Sequence, residues 1–197
     1  MEQNTHHKTK DESHNIIEGQ LRECYGRVVY SHKTHEKCTD MLLSKLSTVK
    51  LIQIILSALT AGSVVTTLFG SGNIGTAVGL VCSTILLGIN AYTKDYDLGE
   101  VAQKHKQAAN ELWLIREQYT SLITDLHIGK RALEDMMLER DRLAIALHAI
   151  YAGSPSTTSA AYKKAQIALQ FNDEMTFSEK EIDLFLPKEL RRNKTLS

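Results

Sequence analysis

Apolar residues recur along this chain with the spacing of helices, and one long stretch carries none of the charges that elsewhere mark a solvent face. Ile17, Leu21, Cys24, Val28, His35, Cys38 and Leu42 step by three and four with a gap at Ser31, the rhythm of a single helical face. From Leu51 to Thr93, 43 consecutive residues include no Asp, Glu, Lys or Arg. Gly70-Ser71-Gly72-Asn73 divides that block as a turn sequence. Each half is about 20 residues, or about 30 Å as helix, the thickness of a bilayer's hydrocarbon core. Two such helices joined by so short a turn are antiparallel neighbours.

After the block the three-and-four rhythm returns. It runs through Val101, His105, Ala108, Leu112, Ile115, Tyr119, Leu122, Leu126, Gly129, Leu133, Met136, Arg140, Leu143, Leu147 and Ile150. This predicts a heptad-like helix of about 50 residues, about 75 Å if unbroken, with Gly129 as the break or kink. The pattern stops at Ala152-Gly153-Ser154-Pro155-Ser156. A shorter helix is predicted from Ser159 to Phe171, and a last one opens on the capping box Ser178-Glu179-Lys180-Glu181 and ends at Leu186-Pro187. No strand is evident. The expected fold is all-α: an integral membrane two-helix hairpin with long antiparallel cytoplasmic helices and a short C-terminal helical segment. Its parts are a disordered tail (1–15), a cytoplasmic helix (16–50), transmembrane helices (51–70 and 74–93), a long cytoplasmic helix (94–151) and the C-terminal helical segment and tail (152–197).

Composition changes this picture little, because averaging hides the block. Mean hydropathy is −0.21, ordinary for a soluble protein. Basic and acidic residues balance at 23 each, which excludes a chain-wide polycationic nucleic-acid binder. Cys24, Cys38 and Cys82 form no C-x-x-C, so neither a disulfide framework nor a zinc site is indicated. His35 and His105 fall on the seams and read as partly buried seam residues rather than metal ligands. Lys33, Lys37, Lys45 and Lys50 precede the block and Lys94, Lys104 and Lys106 follow it, while the turn is uncharged. That bias places both termini in the cytoplasm.

Within the first membrane helix, Gln53, Ser57, Thr60 and Thr67 share one face, interrupted by Val64. The stripe reads either as interhelical hydrogen bonding inside the hairpin or as a pore lining once several hairpins assemble. In the second helix, Gly75, Gly79 and Ser83 recur every four residues as a small-residue packing seam. Catalytic motifs are not found: no G-x-S-x-G, no P-loop, no H-E-x-x-H. No enzyme, cofactor or metal is expected.

Several stretches carry a resemblance. Tyr30-Ser31-His32-Lys33-Thr34-His35-Glu36-Lys37 precedes the hairpin, and Ile89-Asn90-Ala91-Tyr92, Ala102-Gln103-Lys104-His105 and Leu112-Trp113-Leu114-Ile115-Arg116-Glu117 follow it. In that order they resemble the SLATT family, two-transmembrane effectors associated with nucleotide-signalling genes in bacteria, over about Ile16 to Arg192. The resemblance implies membrane disruption or pore formation at the bacterial inner membrane during antiphage defence, with growth arrest or death of the cell. It also implies control by a nucleotide or oligonucleotide made by a neighbouring nucleotidyltransferase, as in CBASS-like and Hailong-type systems.

A pore needs a homo-oligomer, a tetramer or larger, in the lipid bilayer. The alternatives are a non-conducting membrane scaffold or adaptor that binds a partner protein through its cytoplasmic helices, and a soluble helical-bundle interaction protein. For a sensed nucleotide, phosphates need cations and bases need flat partners. Counted along straight helices, Lys33 and His35 lie about 27 and 24 Å from the block and Trp113 and Arg116 about 30 and 35 Å. These four form the candidate ligand site; the alternative is that Trp113 packs in the seam next to Leu112 while Lys33 and Arg116 are merely solvated. Lys163, Lys164, Arg191 and Arg192 stand next in line.

Overall fold

In the computed structural model the backbone is described for residues 2–70 and 73–192, with side chains from Glu12 onward. Ser71 and Gly72 of the expected turn, and the end of the tail with Lys194, lie outside the described residues. The described residues form six α-helices in order: α1 (Glu2–Phe69), α2 (Ile74–Asp95), α3 (Leu98–His127), α4 (Leu133–Gly153), α5 (Ser159–Gln170) and α6 (Glu179–Phe185), then a 3-10 turn at Lys188–Leu190. Among the described residues there is no strand, and the all-α expectation holds.

The spine is α1, 68 residues in one helix and about 100 Å long. It absorbs three segments expected as separate. The stretch expected as a disordered tail continues the helix back to Glu2, having no Gly or Pro to stop it. No break marks the start of the uncharged block at Leu51 either. Along this spine Leu21, Val28, His35, Leu42, Val49, Leu56 and Ser63, each seven residues from the last, are all buried or half-buried. Facing them in the charged part are Leu98, His105, Leu112, Tyr119 and Leu126, all buried, and in the hairpin Gly75, Cys82 and Ile89. A single seven-residue register, the signature of helices wound at a shallow angle, therefore joins the two parts.

Between α2 and α3 only Tyr96 and Asp97 leave the helix. The Asp97 carboxylate accepts the N–H groups of Gly99 and Glu100, a side-chain N-cap that restarts the helix at once. Below, the structure corrects the expectation of a single helix over 94–151. Gly129 has φ +63°, its N–H donates to Leu126 O, and Lys130 N–H donates to Asp125 O. This is a Schellman motif with glycine at the left-handed position, so the chain reverses instead of kinking. Lys130 and Arg131 both pair with Asp125 across the turn. α4 then runs back alongside α1 and α3. Arg140 donates to Gln20 Oε1 at 2.9 Å, and Tyr151 shares a 2.8 Å hydrogen bond with Ser31, which accounts for the gap in the apolar rhythm there. The resulting three-helix bundle buries Leu21, Val28, Leu112, Tyr119, Met136 and Leu143.

α5 packs on α1 through Ala161, Ala165 and Ala168, all buried, and stacks Tyr162 on Tyr30 with ring centroids 5.7 Å apart. Ser178 and Glu181 form the capping box of α6.

Candidate functional site

The hairpin leaves its large apolar side chains bare. Leu51, Ile54, Leu68, Phe69, Leu80 and Leu87 are all more than half exposed, Phe69 at 87%. Among the described residues no other part of the chain covers them, unlike the core helix of a soluble bundle. Both helices are long and apolar enough to cross a membrane.

Inside the hairpin, the contact is made of small and polar groups. Gln53 Nε2 donates to Asn90 Oδ1 at 2.7 Å, and the hydroxyls of Thr67 and Thr76 lie 3.3 Å apart. Ser63 is buried. A Cβ added at Gly79 would collide with the Ser63 hydroxyl, and one at Gly75 with the Thr66 hydroxyl, so these glycines are what lets the helices close. Thr60 is half-buried and donates to Leu56 O at 2.8 Å. Ser57 stands exposed on the outer surface.

Two seam positions differ from the spacing argument. The polar run passes through Ser63 rather than across Val64, and Ser83 is exposed, donating to Leu80 O at 3.0 Å, while Cys82 is buried in its place. Steps of four residues advance 400° and drift off a seam that averages 3.5 residues per turn. The alternation Gly75, Gly79, Cys82, Leu86, Ile89 stays on it.

The four residues of the candidate ligand site are spread over different surroundings. His35 is buried and its Nδ1 lies 2.9 Å from His105 Nδ1. One ring must hold the proton and the other accept it, so both cannot carry protonated Nδ1 atoms. Burial, then the neighbouring His105 and His32, lower the His35 pKa to about 4. Burial also lowers His105 and His32. The pair lies against the loop at Pro155, with His35 on one side in a cavity with Tyr151 and Thr157 and His105 on the other with Cys38 and Tyr96.

Lys33 is itself buried, at 8% exposure, and its Nζ meets Glu36 at 2.8 Å and Glu174 at 2.9 Å. Burial alone would lower its pKa, but the two carboxylates outweigh it and the ammonium is held above its ordinary range. Arg116 pairs with Glu117 at 2.7 Å and touches Met175 Sδ at 3.8 Å, facing a different cavity shared with Tyr25 and Gln170. Trp113 is half-exposed. Among the described residues, His35 and Arg116 line separate cavities. Spacing did not reveal Glu174, which the α5–α6 loop delivers to Lys33 and Lys37 from the far end of the chain. Among the described residues, no group of three or more His, Cys, Asp or Glu side chains is placed to hold a metal ion.

Residues 17–181 match the SMODS and SLOG-associating 2TM effector domain family 4. No curated protein and no solved structure matches the chain.

Proposed function

The chain belongs to the SMODS and SLOG-associating two-transmembrane effector family, and from that premise we propose that it is a pore-forming effector of antiphage defence. That family's domain is associated with nucleotide-signalling defence systems. In this reading the protein sits in the bacterial inner membrane with both termini cytoplasmic, oriented by the lysines that flank the uncharged block. Copies assemble as a homo-oligomer of four or more, depolarise the membrane and arrest the cell. A nucleotide or oligonucleotide made by a neighbouring nucleotidyltransferase sets when they do so.

The observation that carries the reading is the continuity of α1. One helix runs from the cytoplasmic bundle into a hairpin that is bare of other protein, so a rearrangement of the bundle has a rigid route to the bilayer. Gln53, Ser57, Thr60 and Thr67 supply the polar wall of the path. At rest Gln53 and Thr67 are satisfied by Asn90 and Thr76 within the hairpin, and opening exchanges those partners for water or for neighbouring copies.

The test is conductance in planar bilayers. Ser57→Leu and Thr60→Leu make the helix more apolar and leave insertion intact, and both are expected to cut current and toxicity. Full currents from both variants would hand the stripe to hairpin packing. The second reading, a non-conducting scaffold, is favoured by the same Gln53–Asn90 bond, and wild-type protein that inserts without conducting would establish it.

A further inference from the structure

The loop between α5 and α6 lays a carboxylate among ammonium groups. Asp173 takes a positive φ of 50°, a conformation Asp tolerates, and Glu174 N–H returns to Ala168 O at 3.1 Å. The loop is held on either side by Gln170, which donates to the Tyr30 hydroxyl at 2.7 Å, and by Met175 against Arg116. So positioned, Glu174 accepts from Lys33 and from Lys37, each at 2.9 Å. The hydrogen bonds from Lys37 and then Lys33 hold its carboxyl down at about 2.

Beside this cluster opens a cleft of about 860 Å³ whose walls include Lys37, Lys45, Lys164 and Asn172, with Asp40 and Glu174 also lining it. Among the described residues neither Lys45 nor Lys164 has a carboxylate within ion-pair reach; Lys45 lies 5.8 Å from the centre of the Tyr92 ring. Four ammonium groups, counting Lys33, thus meet three carboxylates, those of Glu36, Asp40 and Glu174. Lys37 and Lys45 are eight residues apart on one helix, about 12 Å, too far for a single phosphate to bridge. Met41, Val49 and Ile167 give the cleft an apolar floor. Its upper end, at Thr48 and Val49, lies two residues from the uncharged block.

We propose that this cleft binds a ligand carrying two or more phosphoryl groups on an apolar or aromatic body, and that the Glu174 carboxylate is its tethered competitor. The incoming phosphate takes Lys33 and Lys37 from Glu174, leaves four cations facing two carboxylates and frees the α5–α6 loop. A ligand that binds only when the loop is displaced shifts the protein to the loop-free state by that difference in affinity. The consequence for the membrane rests on the effector reading above; the binding itself does not. Two sources offer this chemistry, a soluble nucleotide and an anionic lipid headgroup.

Calorimetry on the full chain in phosphatidylcholine nanodiscs, with tripolyphosphate as the probe, tests the site. Binding is expected to weaken with salt, and Lys37→Ala and Lys164→Ala each to weaken it about tenfold, as for loss of a charge-assisted contact. Glu174→Gln is expected to tighten it about threefold, because the competitor no longer occupies the site, a gain that misfolding cannot produce. Adding cardiolipin, whose headgroup carries two phosphates, to the nanodiscs separates the sources: competition with the probe makes the bilayer the donor of phosphate, and undisturbed probe binding makes it a soluble ligand. No binding, or binding indifferent to all three substitutions, overturns the site. Conductance of the same proteins in planar bilayers keeps the two readings apart. Currents without probe binding defeat this site alone, and binding without currents defeats the pore alone.

Discussion

The membrane hairpin and the charged helical bundle share one helix and one seven-residue register, and they fill it in opposite ways. Below Leu51 the seam holds Leu21, Val28, Leu112, Tyr119 and Leu126, each at 3% exposure or less. Above it, the same positions hold Ser63, Gly75, Gly79 and Cys82 beside Leu56, Leu86 and Ile89, while most of the leucines and isoleucines, among them Leu51, Ile54, Leu68, Leu80 and Leu87, are left exposed. In water, large apolar groups are driven into the contact. In lipid that drive is absent, because the tails are as apolar as leucine, and helices associate by close packing and hydrogen bonds. Geometry sets the register; the solvent sets what occupies it.

The sharpest way to break this comparison is to swap the rules. Leu112→Ala removes a fully buried side chain from the bundle and is expected to cost about 2–5 kcal/mol, measured by thermal or denaturant unfolding of the bundle in detergent. Truncating Leu87, 70% exposed on the hairpin, is expected to leave helix contact within the hairpin unchanged. Equal losses at the two sites would remove the distinction. The reverse substitution acts in the membrane. Gly79→Leu drives a side chain into Ser63 and is expected to cost about 1–3 kcal/mol of hairpin closure, read as energy transfer between labels at the ends of α1 and α2.

A third difference is ionic. The bundle buries His32, Lys33, His35 and His105, whereas the hairpin holds no charged side chain from Leu51 to Thr93. The folded-state pKa of His35, about 4, lies below its ordinary 6.5. Its neutral form is therefore the folded one: its contribution is complete above about pH 6.5 and is lost as pH falls through 4. Glu174, near 2 against an ordinary 4.5, contributes fully above about 4.5 and is lost only as pH falls through 2. Melting temperature is thus expected to drop between pH 6.5 and 5 through the histidines alone. His35→Leu combined with His105→Leu is expected to flatten that slope, and an unchanged slope would assign it elsewhere.

Much of this contrast could be read from residue order, because a helix in lipid and a helix in water differ in composition over tens of residues. The uncharged block and the stepped apolar residues announce themselves without any partner. What escaped was decided by partners. Gly129 marks a stop, but the spacing alone does not tell a kink from a reversal, and the reversal lays α4 beside Gln20 and Ser31. Cys82 displaces Ser83 because the tilt between two helices, not the spacing within one, selects the seam. Lys33 looks like a free cation until Glu174, 141 residues later in the chain, is laid against it.

The smallest effect probes whether a hydrogen bond is worth more in lipid than beside water. Gln53–Asn90, at 2.7 Å, joins the hairpin helices, and Ser31–Tyr151, at 2.8 Å, joins α1 to α4 in the bundle. Both link side chains distant in sequence. The low dielectric of the bilayer strengthens the first in isolation. An opened hairpin, however, offers Gln53 other partners in its own membrane, as an opened bundle offers Ser31 water. Double-mutant cycles with Gln53→Leu and Asn90→Leu, and with Ser31→Ala and Tyr151→Phe, are therefore expected to return coupling energies of similar size, about 0.6 kcal/mol in the hairpin and about 1 kcal/mol in the bundle. A hairpin coupling of several kcal/mol would make Gln53–Asn90 the principal clasp of the membrane part and reduce Gly75 and Gly79 to permitting its approach. A coupling below 1 kcal/mol leaves the close packing of those glycines against Ser63 and Thr66 as what holds the two membrane helices together.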